Sequence, residues 1–273
     1  MSKPESLNTA DAVPLLSRAE PPAVEAVNDS GRAAFLLVCD HASRRVPQAL
    51  DNLGLDDALM KRHIAWDIGA AEVARGLARQ FDAPLRATGY SRLVIDCNRA
   101  LDDPSSIPEV SDGIAVPGNR GLGPVEVERR REALFRPYHR EVAAALARFR
   151  ERGQVPGLVS IHSFTPVFDG IERPWHIGIL WDRDPRIAVP LIEAVGRQPG
   201  LVVGDNQPYS AREPRGYTVT AHAHSPGYPH VAIEIRQDLI DTHHGALEWT
   251  ERLARALGPI LADSTIYRLE SQP

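Results

Sequence analysis

The chain has only two cysteines in 273 residues. Both, Cys39 and Cys97, fall inside apolar runs, so they read as small buried hydrophobes rather than as a disulfide framework. No apolar run is long enough to span a bilayer, which argues against a membrane partner. The N-terminus lacks the charged-then-apolar order of a signal peptide, so the expected location is cytoplasmic. A basic stripe is missing too: the formal charge is -5, with 31 Lys and Arg against 36 Asp and Glu. That balance argues against nucleic acid as the main partner, although a few local arginines can dominate a pocket and bind an anionic small molecule. Internal repeats and a central linker are also lacking. What remains, 43% hydrophobic and 25% charged, is the composition of a soluble globule with a sizeable core.

The pattern along the chain predicts a flexible leader over residues 1–31, rich in Pro, Ala, Ser and Glu, followed by a single α/β domain over 32–265. Strands are expected at 35–40, 158–162, 176–181, 201–203 and 231–235, with one or two more within 84–98 around Gly89. Helices are expected at 68–81, with an apolar stripe of Ile68, Val73, Leu77 and Phe81, and at 125–150, 185–197 and 246–261. Residues 104–124 read as a long Pro- and Gly-containing loop. Alternating units of this length imply a mixed, mostly parallel sheet with helices on both faces.

Three apolar runs end on chemistry-bearing side chains: 35–40 on His41, 93–98 on Arg99, and 158–161 on His162. Open α/β sheets bind ligands beyond the carboxyl ends of their strands, where these residues are expected. A lone histidine at a strand end is more often structural. Two at neighbouring strand ends, joined by a carboxylate, make the donor set of a catalytic zinc site with one position left open. Asp67 is the best third ligand, against its plainer reading as the N-cap of the following helix. Glu72 is a weaker alternative, and His222 with His224 is a rival pair in a loop.

Glu234 lies in an otherwise apolar strand, where an isolated buried carboxylate is very costly. Either it pairs with Arg236 on the same side of the strand, or it is a general base. Asn98 and Arg99 close the 93–98 run, and arginine binds carboxylates bidentately. Arg92 reads either way, and Tyr209 is an aromatic in a turn-rich stretch that could line a pocket.

Six segments, 39–47, 66–70, 91–99, 162–166, 204–209 and 234–239, together resemble the N-formylglutamate amidohydrolase family, and the likeness runs from about residue 34 to 262. The resemblance implies a phosphorylase/hydrolase-like fold of the zinc-carboxypeptidase and aspartoacylase type and one divalent ion, Zn2+. It also implies His41 as first ligand, His162 as last, Asn98 and Arg99 as readers of a substrate carboxylate, and Glu234 as base. The chain departs from those relatives at Arg44, which stands where a ligating Glu would follow His41 by three residues, so Asp67 is inferred to supply the carboxylate. Hydrolysis of a small N-acyl acidic amino acid such as N-formylglutamate is the expected activity, with Arg99, Arg236, Arg92 and Tyr209 around the substrate. Two alternatives stay open: a zinc peptidase or amidase acting on short peptides, and a non-catalytic binding protein of the same fold.

Overall fold

The computed structural model describes residues 14–213 and 216–270, in which seven strands form one mixed sheet. These are β1 (Val24–Val27), β2 (Phe35–Cys39), β3 (Leu85–Thr88), β4 (Gly157–Phe164), β5 (Ile177–Leu180), β6 (Val203–Asp205) and β7 (His230–Arg236). Their spatial order is β1-β3-β2-β4-β7-β5-β6. The four strands β3, β2, β4 and β7 run parallel, whereas β1 joins β3 antiparallel and β5 joins β7 antiparallel. The chain passes from β2 to β3 on one side, then returns to place β4 on the other side of β2. The crevice at the carboxyl ends of β2 and β4 is therefore a topological switch point, the place where open α/β sheets bind ligands.

Helices cover both faces, as the alternation of units requires. One face of the sheet, with Leu37, Leu85, Val159, Ile161, Val231 and Ile233, packs on α1 (Ala70–Phe81), α3 (Pro185–Gly196) and α4 (His243–Ala262). The opposite face, with Leu36, Val38 and Leu158, packs on Tyr138, Val142, Leu146 and Phe149. These belong to α2, which runs through Pro124–Arg130, a π turn at Arg131–Phe135, and Arg136–Glu151. A second apolar cluster, including Leu53, Leu93, Val94, Ile95 and Leu134, lies under the irregular segments.

Four expectations need correction. Residues 1–13 of the expected leader lie outside the described residues. The remainder of it is built into the fold: Leu15 is buried and Val24–Val27 is the antiparallel edge of the sheet. An edge strand of four residues behind Pro21 and Pro22 shows no alternation, so its pattern reads as loop. Residues 93–98 are not a strand. They turn, with Val94 N–H donating to the Ser91 carbonyl and Asn98 N–H to Asp96 Oδ1, and the run is apolar because it packs in the second cluster. The short strand expected at 201–203 is Val203–Asp205. Helix α1 begins at Ala70 after Gly69, whose φ of 78° is left-handed, and Asp67 does not cap it through its side chain. Only glycine fits at 69, because a Cβ there would lie 2.1 Å from the Ile240 carbonyl oxygen.

Candidate functional site

Apolar strands buried on both faces deliver the site. His41 follows the end of β2 by two residues, and His162 is within β4, two positions from its end. Glu234 of β7 is directly opposite His162 in the parallel register. Opposed residues share a face, so both point away from α1 and α4. Asp67 arrives from the segment before α1, where its N–H donates to the His41 carbonyl at 3.0 Å.

His41, Asp67 and His162 are all buried, and one ligand atom from each lies within 4.8 Å of the others. Both imidazoles turn Nδ1 to the same oxygen, Asp67 Oδ2, at 3.2 Å from His41 and 2.9 Å from His162. The far nitrogens face carboxylates as well. His41 Nε2 is 2.7 Å from Asp96 Oδ1, and His162 Nε2 is 3.2 Å from Asp40 Oδ2 and 2.9 Å from Ser160 Oγ. Asp40 in turn accepts from Tyr138 Oη at 2.6 Å and Thr218 Oγ1 at 2.7 Å. Asp96 Oδ2 accepts two bonds from Arg92, at 3.1 and 2.7 Å.

The charges follow from these contacts. Burial acts to raise Asp67, but the two imidazoles overcome it and hold the acid far below the usual carboxylate range. Burial likewise opposes charge on His162, yet bonds to Asp40 and Asp67 hold it well above its ordinary value. His41 is raised too, with burial and Arg92 opposed by Asp96 and Asp67. Both Nδ1 atoms converge on one carboxylate oxygen, an arrangement that a shared divalent cation would replace, and two imidazoles with one carboxylate suit zinc by donor type. A carboxylate on the far nitrogen of each ring is the support that fixes a ligating histidine's tautomer. The residues present fit such an ion.

Glu234 does not pair with Arg236, which binds Asp238 through Nε at 2.8 Å and donates Nη1 to the Arg173 carbonyl at 3.4 Å. Glu234 Oε2 is buried without a hydrogen-bond partner. Burial raises its pKa to about 7, moderated by the positive charge on His162.

The other expected residues are dispersed around this centre. Arg92 is committed to Asp96 and lies 3.4 Å from Asp67 Oδ1. Asn98 Oδ1 accepts from the N–H groups of Tyr217 and Thr218 at 2.8 and 3.0 Å, so it fixes the segment that carries Thr218 to Asp40. Arg99 donates Nη1 to the Asn98 carbonyl at 2.9 Å. Tyr209 is exposed and its hydroxyl accepts from Arg173 at 3.3 Å. Glu72 contacts His243 instead of the cluster. The rival histidines separate: His222 bonds His139 at 2.9 Å, and His224 packs its ring on His230.

Asp40, Asp96 and Ser160 are contributors that the sequence reading missed. Two aspartates adjoining apolar runs, one directly before His41, were the available signal, because buried carboxylates require partners.

An open α/β sheet with a two-histidine, one-aspartate cluster at its switch point defines a candidate single-ion centre. The sequence profile described as N-formylglutamate amidohydrolase matches residues 33–241, and the chain belongs to that family. It is 29% identical over 163 residues to an N-formylglutamate deformylase of Pseudomonas putida, covering 54% of this chain and 60% of that protein. The match to the Pseudomonas aeruginosa N-formylglutamate deformylase is 26% over 162 residues, with the same coverage. The match thus spans less than two thirds of those curated relatives. A crystal structure of a gene product from Agrobacterium tumefaciens is similar with a TM-score of 0.87 and 38% identity, covering 91% of this chain and 98% of that one. An N-formylglutamate amidohydrolase from Ralstonia eutropha JMP134 shares the fold, with a TM-score of 0.63, 20% identity, and coverage of 90% and 99%.

Proposed function

We propose that the chain is a metal-dependent amidohydrolase that removes an N-formyl or other N-acyl group from a small acidic amino acid such as N-formylglutamate. The observation that carries this reading is the buried His41, Asp67 and His162 cluster beside a carboxylate oxygen of Glu234 that has no partner. Family membership and the deformylase relatives support the substrate class.

His41, Asp67 and His162 hold the ion, and Zn2+ is the candidate. When bound, a divalent ion supplies Lewis acidity at this corner of the site. Asp96 and Asp40 orient the two rings so that each presents Nδ1 inward. Glu234, raised towards neutrality by burial, takes a proton from the attacking water and returns it to the amine nitrogen as the amide C–N bond breaks. For N-formylglutamate the products are formate and glutamate. A base whose pKa is near the working pH is effective in this role. Arg99 reads a carboxylate of the substrate, while Arg92 and Asn98 hold Asp96 and the Thr218 segment in place.

The test is a panel of N-formyl and N-acetyl amino acids, with short peptides beside them, assayed with and without a chelator. The expected result is hydrolysis of N-acyl acidic amino acids that is lost on chelation and restored by zinc. A protein that contains no metal, and in which added zinc restores nothing, refutes the reading.

A further inference from the structure

The sheet continues past Glu234 in a way that builds a second wall of the site. Glu234 pairs in register with Gly178 of β5, and Gly178 pairs with Gly204 of β6. A Cβ at Gly178 would lie 2.0 Å from the Gln207 carbonyl oxygen, and one at Gly204 would lie 2.7 Å from the same atom. The two glycines leave a flat floor, and the chain from Gln207 to Tyr209 lies on it next to the Glu234 position. Tyr209 is partly exposed there, and its hydroxyl accepts from Arg173 at 3.3 Å. Burial raises its pKa, and the negative charges of Glu234 and Asp67 act in the same direction.

Arg173 meets Tyr209 at this wall. Its guanidinium carbon is 5.1 Å from the Tyr209 ring centroid, 4.7 Å from that of Phe168 and 5.9 Å from that of Phe164. Nη1 donates to Tyr209 Oη at 3.3 Å and to Thr165 Oγ1 at 3.1 Å. The backbone is held as well, since Arg236 Nη1 donates to the Arg173 carbonyl. Phe168 comes from a small hairpin, Val167–Phe168 paired with Ile171–Glu172, whose Asp169 and Gly170 have φ of 50° and 73°. Two such angles in a two-residue turn specify the tight hairpin type, so Phe168 is presented by a locally determined structure. Arg92 is satisfied by Asp96 and Arg236 by Asp238. Arg173 has no ion pair among the described residues. A guanidinium stacked by aromatic rings is held in one plane, with its other N–H groups left for an anion.

We propose that Arg173, collared by Phe164, Phe168 and Tyr209, binds the side-chain carboxylate of the substrate and sets the preference for an acidic amino acid. The inference rests on the reading of the substrate as an N-acyl acidic amino acid. Arg99, the proposed carboxylate reader, then takes the α-carboxylate, so that two separate cations read the two acid groups of a dicarboxylate.

The test measures binding by calorimetry and turnover for N-formylglutamate, its side-chain amide N-formylglutamine, and its α-amide. The proteins are the zinc-loaded wild type, Arg173→Gln and Arg173→Lys. Wild type is expected to prefer N-formylglutamate over N-formylglutamine, and Arg173→Gln to weaken N-formylglutamate binding about 10- to 100-fold, the usual scale for a charge-assisted pair, while leaving N-formylglutamine nearly unchanged. The loss falls on KM with kcat largely kept, and Arg173→Lys restores part of the preference, which a merely structural role would not produce. Binding decides the matter even if no protein turns over, so failure of the catalytic reading remains distinguishable. Equal binding of the two ligands by wild type, an undiminished preference in Arg173→Gln, or a loss confined to the α-amide comparison overturns the inference.

Discussion

Replacing Asp96 by Asn tests whether the histidines are held as metal ligands. The carboxylate is used on both oxygens: Oδ1 receives His41 Nε2 at 2.7 Å and the Asn98 N–H at 2.8 Å, while Oδ2 receives two bonds from Arg92. An amide keeps one acceptor and turns the other position into a donor. If the amide NH2 faces Arg92, it opposes the guanidinium N–H groups. If it faces His41, Nε2 must become an acceptor and the ring proton moves to Nδ1, the atom that faces Asp67 and would ligate the ion. Either orientation removes a charge-assisted bond, a loss of roughly 1.5–3 kcal/mol. Loss of such an outer partner lowers metal affinity by about 10- to 100-fold. Zinc affinity is measured by competition with a chromophoric chelator, alongside melting temperature of the ion-free protein to separate fold from site. An Asp96→Asn protein that folds normally and binds zinc as tightly as wild type would refute the assignment of His41 as a supported ligand.

Three further outcomes follow from the structure. Glu234→Gln should lower kcat/KM by about 10²- to 10⁴-fold, the range for a lost general base, with zinc binding retained; undiminished activity would remove Glu234 from the chemistry. Gly178→Ala must push the Gln207 carbonyl away by more than an ångström from its 2.0 Å approach, which should cost about 1–3 kcal/mol by overpacking and raise KM through Tyr209, read by denaturation and kinetics. Burial, with neighbouring His222, holds His139 at a pKa of about 4, below its ordinary 6.5. The unfolded chain therefore takes up this proton first as the pH falls. Stability contributed here is full above pH 7 and is lost between about pH 6.5 and 4, up to about 3 kcal/mol. Denaturant titrations of wild type and His139→Gln should diverge in slope over that interval, and parallel curves would sink the assignment.

The parts of the fold readable from the sequence are those where burial leaves a simple trace. Central strands of a parallel sheet are covered on both faces and become continuous apolar runs, so β2, β4 and β7 were legible together with the polar residues at their ends. The segment 93–98 carries the same trace for another reason. Leu93, Val94 and Ile95 enter the second apolar cluster, while Asp96 and Asn98 serve the turns around them, and hydrophobicity does not record which of these packs the backbone chose. Edge strand β1 has no trace because it is short and half covered. Arg173 was invisible for a further reason: Phe164 and Phe168 precede it closely around one hairpin, but Tyr209 comes from a separate loop, and nothing local in the chain brings that ring to the guanidinium.

Arg44, standing where a ligating glutamate would follow His41, adds weight to a non-catalytic binding protein of the same fold, and the structure alters what that residue implies. Arg44 is exposed, and the cluster has its carboxylate from Asp67. The donor set of two imidazoles and one carboxylate is thus complete without a glutamate one turn after His41. Glu234 distinguishes the two readings more sharply. A strand carboxylate retained for stability would be expected to pair with Arg236, but Arg236 pairs with Asp238 and one Glu234 oxygen is buried without a partner. Leaving a buried acceptor unsatisfied costs about 1–3 kcal/mol, and a binding scaffold gains nothing from that cost. A proton acceptor held next to a Lewis-acid site does, because an unbonded oxygen can receive the proton that an already satisfied carboxylate could not.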